Sequence, residues 1–220
     1  MTALKGLGSK YVVVTGPLGS GASTLAKLLH RRLGWMLLEE GEIDRHNAFF
    51  ADALSDFRRW GFQNQVDFLT TSAERHIDLA STFSSWTKTE PLVVVEDRTP
   101  FEHTGVYLRA HAASERISLR ETQLLERLTE VLERLYLAPD LLVVRQARPK
   151  QLLDRVHSRR RAGEDGIDEG FVESVIEAYE QFVAGWTKSP ILLIGDDVDV
   201  LDPHQADVTI DSIEAALAKE

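Results

Sequence analysis

The chain contains no cysteine. Disulfides, thiolate nucleophiles and cysteine metal sites are therefore excluded. No apolar run approaches the ~18 residues that a membrane-spanning helix requires. The opening stretch MTALKGLGSKY is too short and too polar to read as a secretory signal. There is no internal repeat, no low-complexity tract and no Pro/Gly-rich linker. Positive charge is in short supply: 25 Lys and Arg stand against 35 Asp and Glu, a net charge of -10 over 220 residues. Such a chain is a poor partner for a nucleic-acid polymer, although a local basic patch can still bind a small anion. The expectation is a cytoplasmic protein folded as one domain over residues 1–220, acting on neither membrane nor nucleic acid.

What is present is an alternation. Short apolar runs at Tyr11–Thr15, Met36–Leu38, Leu92–Val95, Leu141–Val144 and Ile191–Ile194 lack polar residues at every second position. Strands buried on both faces of a parallel sheet read this way. Helical patterns lie between them: Leu25, Leu28 and Leu29 after the first run, a long mixed segment from Phe57 to Trp86, and Ile117–Leu137. That last segment has a stripe of Leu124, Leu125, Leu128, Val131, Leu132 and Leu135. Phe171, Val175, Ile176, Tyr179 and Phe182 make another. The class is α/β, with crossover helices covering a parallel sheet. Residues 158–170, SRRRAGEDGIDEG, and 195–207, GDDVDVLDPHQAD, read as polar loops.

The first strand runs into GPLGSGAST. Gly16, Gly19 and Gly21 allow the backbone to turn with its N–H groups inward, and the helix starting near Ala22 aims its positive end at the same point. The pattern GxxxxGK[ST] adds a lysine for the β/γ-phosphates and a hydroxyl for Mg²⁺. Here Ser23 supplies the hydroxyl, Thr24 follows it, and Ala22 stands where the lysine belongs. The loop predicts a phosphate site made of main-chain amides. Residues 93–103, VVVEDRTPFEH, set carboxylates and a cation at a strand's carboxyl end, where open α/β sheets bind ligands. Asp97 or Glu96 can hold Mg²⁺, and Arg98 can bridge phosphates or a carboxylate base. Arg155 and Arg159 share a helix face with Arg161 close behind, a fork suited to phosphate. Glu39, Glu40 and Glu42 are candidate general bases. In RRWGFQNQ, Trp60 and Phe62 can stack on a nucleobase that Gln65 reads by its edge.

In this order the motifs resemble the deoxynucleoside kinase family, the bacterial deoxyadenosine/deoxyguanosine type in particular, over roughly residues 10–210. The resemblance rests on GPLGSGAST, EIDRHNAFFADAL, RRWGFQNQ, DRT and the arginine-rich stretch that ends at Glu164. It implies a P-loop kinase fold, a five-stranded parallel sheet in three layers with a lid at about 158–170. It implies transfer of the γ-phosphoryl of ATP, or another nucleoside triphosphate, to the 5′-hydroxyl of a deoxynucleoside, with a purine favoured. Glu42 would take the hydroxyl proton, and Gln65 with Trp60, Phe62 and His103 would face the base. Glu164 would hold the sugar 3′-hydroxyl. Gly16, Gly19, Gly21, Ala22, Ser23, Thr24, Arg155, Arg159 and Arg161 would hold the triphosphate with Arg98, and Ser23 and Asp97 would hold Mg²⁺. The family is commonly dimeric, so a homodimer or a heterodimer with a paralogous kinase is expected.

Four positions depart from the family pattern. Ala22 replaces the loop lysine. Leu54 replaces a sugar-facing tyrosine, and His103 an aspartate that helps to read the base. Ser72 replaces an arginine on the base-reading helix, with Arg75 one turn away. Two readings stay open: a working kinase in which Arg98 or a lid arginine covers for the lysine, and a weak or silent nucleotide-binding subunit that pairs with an active relative.

Overall fold

In the computed structural model, residues 8–148, 152 and 169–218 are described. The apolar runs form five parallel strands: β1 (Lys10–Thr15), β2 (Met36–Leu38), β3 (Val93–Asp97), β4 (Leu141–Arg145) and β5 (Ile191–Ile194). They lie in the order β2-β3-β1-β4-β5. Register follows from the pairs Val14↔Asp97, Val14↔Val143 and Leu38↔Glu96. The carboxyl ends of β1, β2 and β3 therefore stand level, and the chemistry-bearing residues that follow them meet there.

The helices are α1 (Ala22–Leu33), α2 (Glu40–His46), α3 (Phe50–Ser55), α4 (Phe57–Ser85), α5 (Arg109–Ala113), α6 (Leu119–Leu132), α7 (Glu169–Ala184) and α8 (Pro203–Leu217), with a π turn at His103–Leu108 leading into α5. Strand periodicity divides the core. Val12, Val14, Val95 and Val143 pack on Leu25 and Leu29 of α1 and on Ile213 and Leu217 of α8. Tyr11, Val13, Val94 and Val144 face the other way, onto Leu79 of α4 and Phe182 of α7. Each such buried aliphatic side chain contributes about 1.5–3 kcal/mol of transfer free energy. Gly34 ends α1 in the left-handed conformation that a Cβ disfavours, at φ 70. Ser118 and Glu121 close a capping box on α6.

Three features depart from expectation. The stretch 195–207 is not all loop: Asp202 accepts from the Gln205 amide and Pro203 opens α8. Two helices that the apolar pattern did not disclose, α2 and α3, follow β2. The α6 stripe is not uniformly core, because Leu125 is fully buried while Leu124, Val131 and Leu135 are 50%, 60% and 42% exposed. The helix thus has an inner and an outer apolar face. Among the described residues, no helix is long and apolar enough to cross a membrane.

Candidate active site

The glycine loop joins β1 to α1. A Cβ on Gly16 would overlap the Arg145 carbonyl oxygen and lie 2.6 Å from Ser20 Oγ, so only glycine fits. Gly19 and Gly21 take positive φ, 85 and 91. Gly21 sits at the helix N-cap without a side-chain cap. Gly21 thus places no side chain of its own over the first-turn N–H groups of α1, an arrangement that suits an anion. Ser20 Oγ is buried without a hydrogen-bond partner among the described residues. Ala22 is buried in the α1-side core, and Thr24 is half-buried.

The Ser23 hydroxyl, in the first turn of α1, favours the charged form of Asp97 at the end of β3. Burial pushes the Asp97 carboxyl above its usual range, against the pull of Arg98 and Ser23. Asp97 Oδ1 is buried with no hydrogen-bond partner among the described residues. An orphaned carboxylate oxygen beside a hydroxyl fits a hard cation, and a divalent ion would favour the charged form. The described residues hold no cluster of three or more metal-ligating side chains. Mg²⁺ needs none, since it keeps waters and phosphate oxygens as ligands.

Arg98 follows directly, with φ 71. Its amide donates to the Val14 carbonyl at 2.9 Å. Its guanidinium lies 2.8 Å from Glu40 Oε1 and 3.7 Å from Glu102 Oε2. Burial opposes its charge, but Glu40, Tyr179 and Glu102 hold it protonated far above neutrality. Glu102 is buried and accepts from the hydroxyls of Thr15 and Tyr179 and from the Thr99 amide. Burial raises its pKa despite those donors. Beside it, Glu96 is also buried. Burial alone would raise it, but His76, Arg75 and Tyr11 together bring it below its ordinary value. These contacts fix the backbone that presents Asp97 and Arg98.

These groups open into one cavity of about 760 Å³. Leu18 of the loop lines it, with Glu40 of α2, Leu54 of α3, Asp97, Arg98 and Glu102. From α4 come Asn64, Gln65, Phe68 and Ser72, a spacing that holds one helix face. Phe50, Tyr107 and Phe171 add aromatic walls, and His103 completes the lining beside Phe68 and Ser72. His103 stacks on Phe68 with ring centroids 5.1 Å apart, and its Nε2 lies 3.2 Å from Ser72 Oγ. Burial, then the Arg98 charge, lowers its pKa to about 4, so the ring is neutral at physiological pH.

The structure thus brings Gln65, Asp97, Arg98 and His103 to one cavity, with the Ser23 hydroxyl close enough to Asp97 to favour its charged form. It places three other expected residues elsewhere. Trp60 stacks on Phe49 at 6.0 Å and Phe62 packs against the Leu69–Leu125 core, and neither lines the cavity. Glu42 is exposed, and its carboxylate lies 3.5 Å from Arg75. The cavity glutamate of α2 is Glu40. Arg155, Arg159, Arg161 and Glu164 lie outside the described residues. Sequence reading missed Phe68 as the aromatic wall, although it stands three residues beyond Gln65 on the same helical face. It also missed Glu102, whose buried network no local signal marks.

A family model described as deoxynucleoside kinase matches residues 12–217. The deoxyadenosine/deoxycytidine kinase of Bacillus subtilis (strain 168) is 29% identical over 213 residues, covering 95% of this chain and 94% of the relative. The deoxyadenosine kinase of Dictyostelium discoideum is 24% identical over 91% of this chain and 78% of its own length. Among solved structures, deoxyadenosine kinase from M. mycoides superposes with a TM-score of 0.78 at 18% identity, over 93% of this chain and 99% of that one. A second structure of it, with bound dATP, gives 0.76 at 20% identity, covering 93% and 98%.

Proposed function

The chain belongs to the deoxynucleoside kinase family, a phosphotransferase that moves a phosphoryl group onto a deoxynucleoside, and from that premise we propose how its own residues do so. The donor is ATP or another nucleoside triphosphate, and the acceptor is the 5′-hydroxyl. The observation that carries this reading is the meeting, at the level carboxyl ends of β1 and β3, of an uncapped glycine loop, the Ser23–Asp97 pair and the Glu40–Arg98 ion pair, all beside a cavity walled by Gln65 and Phe68. The M. mycoides relative bound to dATP supports a triphosphate here.

The loop amides and the α1 N-terminus receive the β- and γ-phosphates. Ser23 and Asp97 would hold Mg²⁺, which neutralises charge developing on the phosphate oxygens when bound. Glu40 accepts the 5′-hydroxyl proton as that oxygen attacks the γ-phosphorus and the bond to the β-phosphate oxygen breaks. We assign this role to Glu40 in place of Glu42 because Glu40 lines the cavity and is held by Arg98 at 2.8 Å. Arg98 orients Glu40 and supplies positive charge near the reacting oxygens, the charge that Ala22 does not supply. Gln65 reads the base edge, and Phe68 and His103 flank it. As the family motif implies, Arg155, Arg159 and Arg161 are assigned to the triphosphate and Glu164 to the sugar 3′-hydroxyl. A purine is favoured, in keeping with relatives named deoxyadenosine and deoxyguanosine kinases.

Around this site we propose one domain spanning the chain. Leu124 and Val131 on the outer face of α6, with Leu135 in the turn just beyond its end, are the seam of a dimer, with itself or a paralogous kinase. Sedimentation at the mass of one chain in the presence of both substrates would remove that proposal. A cysteine-free chain suits the reducing cytoplasm. Ala22 favours one second reading, a nucleotide-binding subunit that turns over little. Incubation with Mg-ATP and each deoxynucleoside separates the two. The kinase reading expects a 5′-monophosphate, and ATP binding with no monophosphate from any deoxynucleoside selects the silent subunit.

A further inference from the structure

The cavity holds carboxylates, but those around the base wall are engaged. Glu96 is held by Tyr11, His76 and Arg75, Glu102 by Thr15, Tyr179 and Thr99, and Glu40 by Arg98. Asp56 accepts from the Arg59 amide at the start of α4. On the α4 side, the groups beside Gln65 that carry no charge are Asn64, Phe68, Ser72 and His103. Two of them touch: Ser72 from α4 and His103 from the π turn, 3.2 Å apart, with His103 clamped against Phe68.

A serine–imidazole pair can hold its two protons in two ways. In one, the Ser72 hydroxyl donates to Nε2, the ring proton sits on Nδ1, and Ser72 Oγ offers a lone pair outward. In the other, Nε2–H donates to Ser72 Oγ, whose own proton is then free to donate outward, and Nδ1 becomes an acceptor. The interchange needs one proton to leave one ring nitrogen and one to join the other through water in the cavity. Nothing is oxidised and no net charge changes. A carboxylate at this place would have only one face to show, that of an acceptor.

Resting on the kinase reading above, we propose that Ser72 and His103 form a tautomeric reader that admits both amino- and oxo-substituted bases at the position they face. Where the base presents an exocyclic amine the pair accepts, and where it presents a carbonyl the pair donates. A site built to make one fixed hydrogen bond rejects the mismatched partner by about 10⁴-fold or more, because a buried polar group is left unpaired. The reader removes that penalty for either partner.

Deoxyadenosine and deoxyinosine differ at position 6, amine against carbonyl, and at N1, acceptor against donor; the Gln65 amide can serve either N1 by turning over, so the comparison reads position 6. The experiment measures kcat/KM for both with the intact chain, and for deoxycytidine and deoxyuridine in case only pyrimidines enter. Within each pair the two values should agree within about tenfold. His103→Asp fixes an acceptor, so the oxo-substituted partner should fall by about 30-fold or more relative to the amino one. His103→Asn, whose amide again offers a donor and an acceptor, should restore near-parity. A wild-type preference above about 1000-fold within the pair that enters overturns this inference while leaving the kinase reading intact. An equal loss for both partners in a folded His103→Asp variant also overturns it. No monophosphate from any deoxynucleoside removes the kinase reading, and this inference with it.

Discussion

At the scale of single residues, the decisive question is which glutamate of α2 works. Glu40 and Glu42 are two apart, and a gapless match of sequence motifs points to Glu42. A helix places residues two apart on different faces. The structure turns Glu40 toward Arg98 and the cavity and leaves Glu42 with Arg75 at the surface. Glu40→Gln is expected to lower kcat by about 10²- to 10⁴-fold, the usual worth of a general base. Glu42→Gln should stay within a few-fold. Steady-state assays with Mg-ATP and deoxyadenosine decide it, and the reverse ranking would return the role to Glu42.

His111 makes a second residue-scale prediction. It stacks on Phe57 at 3.8 Å and on Phe171 at 4.9 Å, and its Nδ1 has no hydrogen-bond partner among the described residues. Burial, helped by the Arg116 charge, lowers its pKa from 6.5 to about 3. The unfolded chain therefore takes a proton that the folded chain refuses. Stability is full above pH 6.5 and falls as pH drops from 6.5 toward 3. The slope is at most about 1.4 kcal/mol per pH unit for one proton. His111→Phe should flatten the wild-type curve by that one-proton slope in chemical denaturation across this window. Parallel curves would show that His111 is charged in the folded state.

At the scale of elements, the loop between β1 and α1 is a shape before it is a chemistry. Gly16→Ala should distort it, because the new methyl meets a backbone carbonyl that cannot swing aside. ATP affinity is expected to fall about tenfold or more, and stability by about 1–3 kcal/mol, the cost of strain at such a position. Gly8→Ala, with nothing within 4 Å, is the control. Unchanged titration calorimetry for Gly16→Ala would mean that the triphosphate binds elsewhere. Elements also show what a sequence discloses. The five strands were legible because buried parallel strands leave unbroken apolar runs, and α4 because of its length. Helix α8 was hidden behind acidic residues, although Asp202–Pro203 is a start signal that could have been read. Helix α2 was hidden because five of its seven residues, Glu40, Glu42, Asp44, Arg45 and His46, are acidic or basic.

At the scale of the whole molecule, the sheet does the assembling. Asp97 and Arg98 meet the glycine loop because β3 lies beside β1 in parallel register. Gln65, Phe68 and Ser72 meet them because α4 packs across the other face of that sheet. No local pattern contains that meeting. The loop and the DRT motif could be read from sequence, and so could Gln65, but the contact of Ser72 with His103 could not, since 31 residues separate them. Trp60 and Phe62 misled for the same reason: aromatics near a motif are legible, and the helical face they occupy is set by packing.

On the proposed reading, one continuous space holds both substrates, the triphosphate at the loop and the nucleoside beside Gln65. A bisubstrate compound joining adenosine to deoxyadenosine through five phosphates tests it most directly by calorimetry. Linking two ligands that occupy adjoining sites converts the second binding into an intramolecular event. The expected Kd lies at least about 100-fold below that of ATP or deoxyadenosine alone. A compound that binds no more tightly than ATP would contradict it.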